Sequence, residues 1–248
     1  MLHRITIQCH YEGEQKPNYN WGSLFHGFLM DALPSEVTEV LHEDTLKPYS
    51  QYVLPGADQQ VNWTIGMWDS DFSKQIIEAV APLTRIALQQ KGLVLDVKGV
   101  QRSSLSNSEY LSRFFTAEKP YRRYEIEFIT PSTHRHEGAY VLFPAPELMV
   151  RNLSKRYSAF VRDVSLDDPE AMQELARNIR IVRYSLRSGV FYLEKTKITG
   201  YLGRLTLVIS GPDQLARLAG ALLSFAEYSG IGIKTALGMG GVRVWQIP

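Results

Sequence analysis

Residues 229–244 read Ser229-Gly-Ile-Gly-Ile-Lys-Thr-Ala-Leu-Gly-Met-Gly-Gly-Val-Arg-Val244, with glycine at 230, 232, 238, 240 and 241. Five of the 18 glycines of a 248-residue chain thus fall within twelve positions. The run follows the clearest helix of the chain. Pro212 opens that helix, and Leu215, Leu218, Ala219, Leu222, Leu223 and Ala226 share one face. Gly230 stands where a left-handed C-terminal cap belongs. Val242, Val244 and Trp245 read as a closing strand. This order, helix then glycines then strand, excludes the nucleotide P-loop, which needs strand before helix and a glycine directly before the lysine. It excludes the dinucleotide fingerprint too, because Thr235 stands where the third glycine belongs. Two readings stay open: a cap followed by a glycine-rich turn, or a backbone lying against a phosphodiester chain, with free N–H donors and Lys234 as counter-charge.

Upstream of that helix, residues 121–130 alternate as a strand, with Tyr124, Ile126 and Phe128 on one face. Residues 146–160 read as a helix carrying Leu148, Val150, Leu153 and Tyr157. Asp167-Asp168-Pro169-Glu170 starts a short helix to about residue 177, with a cap, a first-turn proline and acids at the positive dipole end. Residues 179–186, 191–196 and 204–209 look like strands. A similar order precedes it. Residues 2–8 alternate as a strand, residues 21–33 form a helix stopped by Pro34, and Val53, Val61, Trp63, Ile65 and Met67 mark two strands. Residues 71–90 have helical spacing that Pro82 should kink or split, and 93–97 alternate again. The first half reads β-α-β-β-α-β and the second repeats a similar order. The fold expected is α+β: two tandem ferredoxin-like domains, residues 1–116 and 121–248, joined near 116–120, with the glycine-rich loop 229–241 in the second and facing the cleft between them.

Composition bounds the function. Lys+Arg number 27 against 26 Asp+Glu, a net charge of +1, so any nucleic-acid surface must be local. With 44% hydrophobic and 21% charged residues the chain can bury a core. No apolar run reaches membrane-spanning length and no secretory h-region stands at the N-terminus, so a cytoplasmic protein is expected. The single cysteine, Cys9, excludes an internal disulfide and a multi-cysteine zinc site, and is expected to be a small buried residue. Local cations cluster at Arg151, Lys155 and Arg156, on a helix, at Arg122-Arg123, and at Arg177, Arg180, Arg183 and Arg187. Each set is a solvated surface or a track for a phosphate backbone.

The glycine-rich run resembles the loop of the CRISPR-associated endoribonucleases that process repeat transcripts, members of the RAMP superfamily. Three other stretches agree, in the family's order. Thr130-Pro-Ser-Thr-His134 with Leu142-Phe-Pro-Ala-Pro-Glu147 resembles the opening of the family's second half. Gly200-Tyr-Leu-Gly-Arg204 resembles its inner Gly-x-x-Gly hairpin. Leu41-His-Glu-Asp-Thr-Leu-Lys-Pro-Tyr-Ser50 resembles the segment after its first helix, which carries a histidine and then a basic residue. The resemblance implies tandem ferredoxin-like domains and cleavage of CRISPR repeat RNA (precursor crRNA) without metal or other cofactor. In that chemistry a 2′-hydroxyl attacks the adjacent phosphate, leaving a 2′,3′-cyclic phosphate and a 5′-hydroxyl. The alternative it leaves is a non-catalytic repeat-RNA-binding subunit of an effector complex. Effector-complex subunits and a second copy of the chain are the further partners left open; no membrane is implicated.

That chemistry needs a base, an acid and a cation. Histidine suits the proton steps, since its ordinary pKa of about 6.5 lies near working pH. The resemblance singles out His42, in a polar loop, as lead acid/base; His26, on the first helix, as its partner; Lys47 as charge stabiliser; and Tyr49 as a support that orients a partner or merely packs. Gly230, Gly232, Lys234, Thr235, Gly238, Gly240, Arg151, Lys155 and Arg156 are the RNA-binding candidates. His134 and His136 flank Arg135, and are expected to be surface or RNA-facing rather than metal ligands, because no further ligand gathers with them. His3 and His10 carry no assignable chemistry.

Overall fold

A computed structural model describes residues 1–43, 46–193 and 196–248, without the side chains of His42 and Glu43. The first half runs β1 (Leu2–Tyr11), α1 (Gly22–Ala32), α2 (Ser35–Glu43), β2 (Tyr49–Pro55), β3 (Gln60–Met67), α3 (Ser70–Val80), β4 (Arg85–Leu88), β5 (Leu93–Leu105) and α4 (Asn107–Phe115). The second runs β6 (Arg123–Ser132), β7 (His134–His136), β8 (Ala139–Val141), α5 (Pro146–Phe160), α6 (Pro169–Asn178), β9 (Ile179–Leu193), β10 (Thr196–Ile209), α7 (Asp213–Ser229) and β11 (Val242–Ile247). Among the described residues no helix is long and apolar enough to cross a membrane.

The first sheet has the order β2-β3-β1-β5-β4 and the second β11-β6-β10-β9, all antiparallel. In each, the first strand of the unit lies at the centre beside its third and last strands. That is the ferredoxin-like arrangement, here twice in tandem, with β4 and β7–β8 as additions. In the first half the register sets Ile5 against Ile65, Ile7 against Trp63 and Cys9 against Val61, and this face packs on Phe25, Leu29, Ile76 and Val80. In the second, Tyr124, Ile126 and Phe128 pack with Leu205 and Leu207 under Leu153, Tyr157 and Leu222. The two cores exchange residues: Leu2, Trp68, Tyr110 and Phe114 join the second core, and Ala236 joins the first.

Several elements differ from the sequence expectation, each for a local reason. The loop expected around His42 is the last turn of α2, because Val37 and Leu41, four residues apart, both bury. The helix expected over 71–90 ends at Val80. After Pro82 the chain turns into β4, whose Ile86 and Leu88 bury while Arg85 and Ala87 face out. Helix α4, unforeseen, is announced by a capping box in which Ser106 and Glu109 bond reciprocally. The strands expected at 179–186 and 191–196 are one strand, β9, paired along its length with β10. The expected Gly200-x-x-Gly203 hairpin is not a turn: both glycines lie within β10. Gly203 sits at the bulge between Tyr201 and Gly203 at φ +112°, where a Cβ would stand 2.2 Å from the Ser185 carbonyl.

Candidate functional site

The segment after α7 folds onto the strand that opens the second half. Gly230 caps α7 at φ 67°, its N–H donating to Ala226 O at 2.8 Å. From there the loop lies in a bed made by Thr130 to Thr133. Gly241 N–H donates to Thr130 Oγ1 at 2.8 Å, Gly240 N–H to Pro131 O at 2.9 Å and Ile233 N–H to Thr133 O at 2.9 Å; Ser132 Oγ donates to Ile231 O at 2.6 Å. Ile231 N–H closes the loop on Gly240 O at 2.9 Å, and Gly232 N–H reaches Asn152 Oδ1 at 3.2 Å. The amides of Gly230, Gly232, Gly238 and Gly240 therefore serve the fold, which corrects the expectation that they are free donors. Those glycines and Thr235 are buried, and Lys234 is the exposed residue at the crown. Lys234 is left-handed, at φ 55° and ψ 29°, a conformation non-glycine residues rarely hold.

The loop also touches α1. A Cβ on Gly22 would stand 2.8 Å from Leu237 O and 2.9 Å from Gly238 Cα, so the start of the helix and the loop meet backbone to backbone only because both positions are glycine. His26 follows one turn later on α1, half-buried, and Tyr49 opens β2 beside it. Tyr49 Oη and His26 Nδ1 are 3.1 Å apart, their rings inclined by 15°. Burial pushes the Tyr49 phenol well above its ordinary range, so the hydroxyl keeps its proton and remains a neutral partner for the imidazole. Lys47 Nζ donates to Leu41 O, in the turn of α2 that carries His42. The His42 side chain lies outside the described residues. Three of the four catalytic candidates are thus placed: His26 and Tyr49 as a bonded pair beside the loop, and Lys47 tied to the helix bearing the fourth.

Of the basic candidates, Arg151 and Lys155 are exposed and, with Arg177, line a groove of about 710 Å³ between α5 and α6, which Glu147, Asp167 and Glu170 share. Arg156 is corrected. It is 5% exposed, points inward, and donates to Ser229 O and, at 2.5 Å, to Thr235 Oγ1, with its guanidinium 5.8 Å from the Trp68 ring centroid. Burial lowers its pKa to about 10, so it stays charged, and no carboxylate among the described residues pairs with it. Its anchors are instead the last carbonyl of α7, at the negative end of the helix dipole, and the Thr235 hydroxyl. Arg156 is a clamp under the loop, not part of a surface track. His134 is corrected likewise. It is 5% exposed, its Nδ1 lies 3.4 Å from Tyr201 Oη, and its pKa falls to about 4 through burial and the nearby Arg156 charge. His136 is exposed. Cys9 is buried, its thiol pushed up to about 12 by desolvation.

Sequence reading missed Asn152 and Gln51. Gln51 Nε2 donates to Gly22 O at 2.8 Å and to Ala236 O at 3.0 Å, and its Oε1 accepts from Trp63 Nε1 at 3.0 Å. The available signal was register: Gln51 falls in step with the apolar Tyr49 and Val53, a polar residue on the inward face of β2.

The family model for CRISPR-associated endoribonuclease Cas6 matches residues 126–242. A Cas6 endoribonuclease of Mycobacterium tuberculosis is 31% identical over 249 residues, 98% of this chain and 78% of that one. One of Streptococcus thermophilus is 29% identical over 220 residues, 89% of each chain. Among solved structures, a Cas6 product complex superposes with TM-score 0.81 at 20% identity, covering 99% of this chain and 100% of the other. Thermus thermophilus Cas6 superposes with TM-score 0.74 at 21% identity, covering 99% and 98%.

Proposed function

Because this chain belongs to the CRISPR-associated endoribonuclease Cas6 family, we propose that it cuts CRISPR repeat RNA without a metal ion, using the 2′-hydroxyl of the nucleotide before the cut as nucleophile. The observation that carries this reading is the His26–Tyr49 pair set against the loop that presents Lys234. Relatives captured as product and substrate-mimic complexes support repeat RNA as the ligand.

In the proposed reaction one imidazole takes the 2′-hydroxyl proton as the 2′-oxygen bonds to phosphorus. The bond from phosphorus to the 5′-oxygen breaks, and a second group returns a proton to that oxygen. The products are a 2′,3′-cyclic phosphate and a 5′-hydroxyl. His42 and His26 are the proton-transfer groups, Tyr49 holds the ring of His26, and Lys47 offsets charge on the phosphorane. Lys234, Arg151 and Lys155 contact phosphates, while Arg156 holds the loop from beneath.

The test is cleavage of labelled repeat RNA in excess chelator, beside the same RNA with a single 2′-deoxy nucleotide before the cut. The first should be cut and the second bound but intact. Cleavage of the deoxy substrate, or a requirement for Mg²⁺, defeats the mechanism; binding without cleavage of either indicates a non-catalytic RNA-binding subunit. Under single-turnover conditions His42→Ala and His26→Ala should each lose about 10²–10⁴-fold in rate with affinity nearly unchanged.

A further inference from the structure

We propose that Gln51 is a positioning residue that holds the His26 helix in register with the glycine-rich loop. The inference rests on the reading that His26 and the loop act on one RNA.

Gln51 is 1% exposed, and its amide is fully committed. Both Nε2 protons go to backbone carbonyls, Gly22 O and Ala236 O, and Oε1 accepts the indole proton of Trp63. This network fixes the amide orientation: two carbonyls demand the NH₂ end and an indole donor demands the oxygen. The two carbonyls belong to the two parts of the site. Gly22 begins α1, and by the helical i→i−4 pattern its oxygen also receives the His26 backbone N–H. Ala236 follows Lys234 by two residues on the loop. The side chain therefore bridges 29 residues in one direction and 185 in the other.

Geometry distinguishes this from packing. Its β2 neighbours on the same face, Tyr49 and Val53, belong to the apolar core. An apolar side chain at 51 would fill the volume without burying an amide. It would also take the Gln51 donor from Ala236 O and leave Gly22 O with its helical N–H alone, at the contact between Gly22 and Gly238, which no side chain spaces. Hydrogen bonds are directional where apolar contact is not, so the amide sets how α1 and the loop sit relative to each other. Catalytic groups displaced by about 1 Å can lose about 10²-fold in rate, and His26 lies one turn from the point where Gln51 grips the helix.

The experiment compares Gln51→Met, similar in length but without donors, with wild type, His26→Ala and the double variant. The readouts are single-turnover cleavage at saturating enzyme, repeat-RNA affinity and thermal unfolding. Gln51→Met should cut roughly 10–100-fold more slowly, with affinity within about threefold, and should add nothing to the loss in His26→Ala. A wild-type rate in Gln51→Met, or full additivity with His26→Ala, overturns the proposal. A wild-type rate in His26→Ala overturns the underlying reading instead. If Gln51→Met does not fold, Gln51→Glu replaces it. A protonated glutamic acid can still donate to one carbonyl, so its rate relative to wild type should rise as pH falls from 7.5 to 5.5. A ratio independent of pH overturns the proposal.

Discussion

Tyr49 Oη lies 3.1 Å from His26 Nδ1, joining the first residue of β2 to the second turn of α1. The phenol is buried and holds its proton, so this bond ties the imidazole to one ring plane and sets a neutral partner at Nδ1. Tyr49→Phe keeps the packing and removes the bond. Single-turnover cleavage should drop about tenfold, and the histidine limb of the pH–rate profile should move, at a stability cost of about 1 kcal/mol. Repeat-RNA affinity should not change. An unaltered pH–rate profile would make Tyr49 a packing residue.

Lys234 combines exposure with a left-handed backbone, so its two properties can be separated. Lys234→Ala should weaken repeat-RNA binding and flatten its salt dependence by about one unit, leaving the backbone strain in place. Lys234→Gly should weaken binding equally yet raise stability by about 1 kcal/mol, because glycine holds φ > 0 freely. Binding curves across a salt series, with melting curves alongside, check both. Unchanged affinity at every salt concentration reduces the segment to a structural turn.

Arg156 should behave as an internal clamp. Arg156→Met leaves Ser229 O and Thr235 Oγ1 without this buried donor but also removes a buried charge that no carboxylate among the described residues pairs. The net expectation is about 2 kcal/mol of lost stability, or roughly 4–8 °C in melting temperature. Loss of RNA affinity with an unchanged salt slope is the expected binding result, since the guanidinium is not at the surface. A reduced slope would return Arg156 to the phosphate contacts.

His134 gives the fold a pH dependence whose sign is fixed. Its folded pKa is about 4 against an ordinary 6.5, because burial and Arg156 disfavour the imidazolium. Between those values the unfolded chain binds a proton that the folded chain refuses. Its contribution is therefore complete above pH 6.5 and is lost as pH falls toward 4, by on the order of 2–3 kcal/mol. His134→Gln should flatten the stability–pH curve across this window when unfolding is followed by denaturant at pH 4.5, 5.5 and 7. An identical slope in the variant would show that other groups carry the acid sensitivity.

Local pattern carried much of the architecture. Strand alternation at β1 and β6, the apolar stripe of α7 and the Asp168-Pro169 start of α6 reflect forces acting within a few residues, and they survive in the fold. Errors arose where tertiary contact outweighed local spacing. Residues 85–88 form a strand because β5 offers a pairing edge, and 35–43 form a helix because Val37 and Leu41 find a core to enter.

The same division holds at the site. The run of glycines, the histidines at 26 and 42 and the lysines at 47 and 234 are visible in the sequence, because residue identity alone limits who can move a proton, carry charge or accept a left-handed backbone. Burial and partnership are not visible there. Arg156 follows Lys155 in sequence yet turns inward, since helical neighbours diverge by about 100°. His134 is silenced by its surroundings, and Gln51 acquires its role only when the start of α1 and a loop near the C-terminus meet over one face of β2. The sequence determined which chemical groups were present and which segments were helix or strand. The tertiary structure decided which of those groups meet water and which meet each other, because burial and hydrogen-bond partners are properties of contacts between residues far apart in the chain.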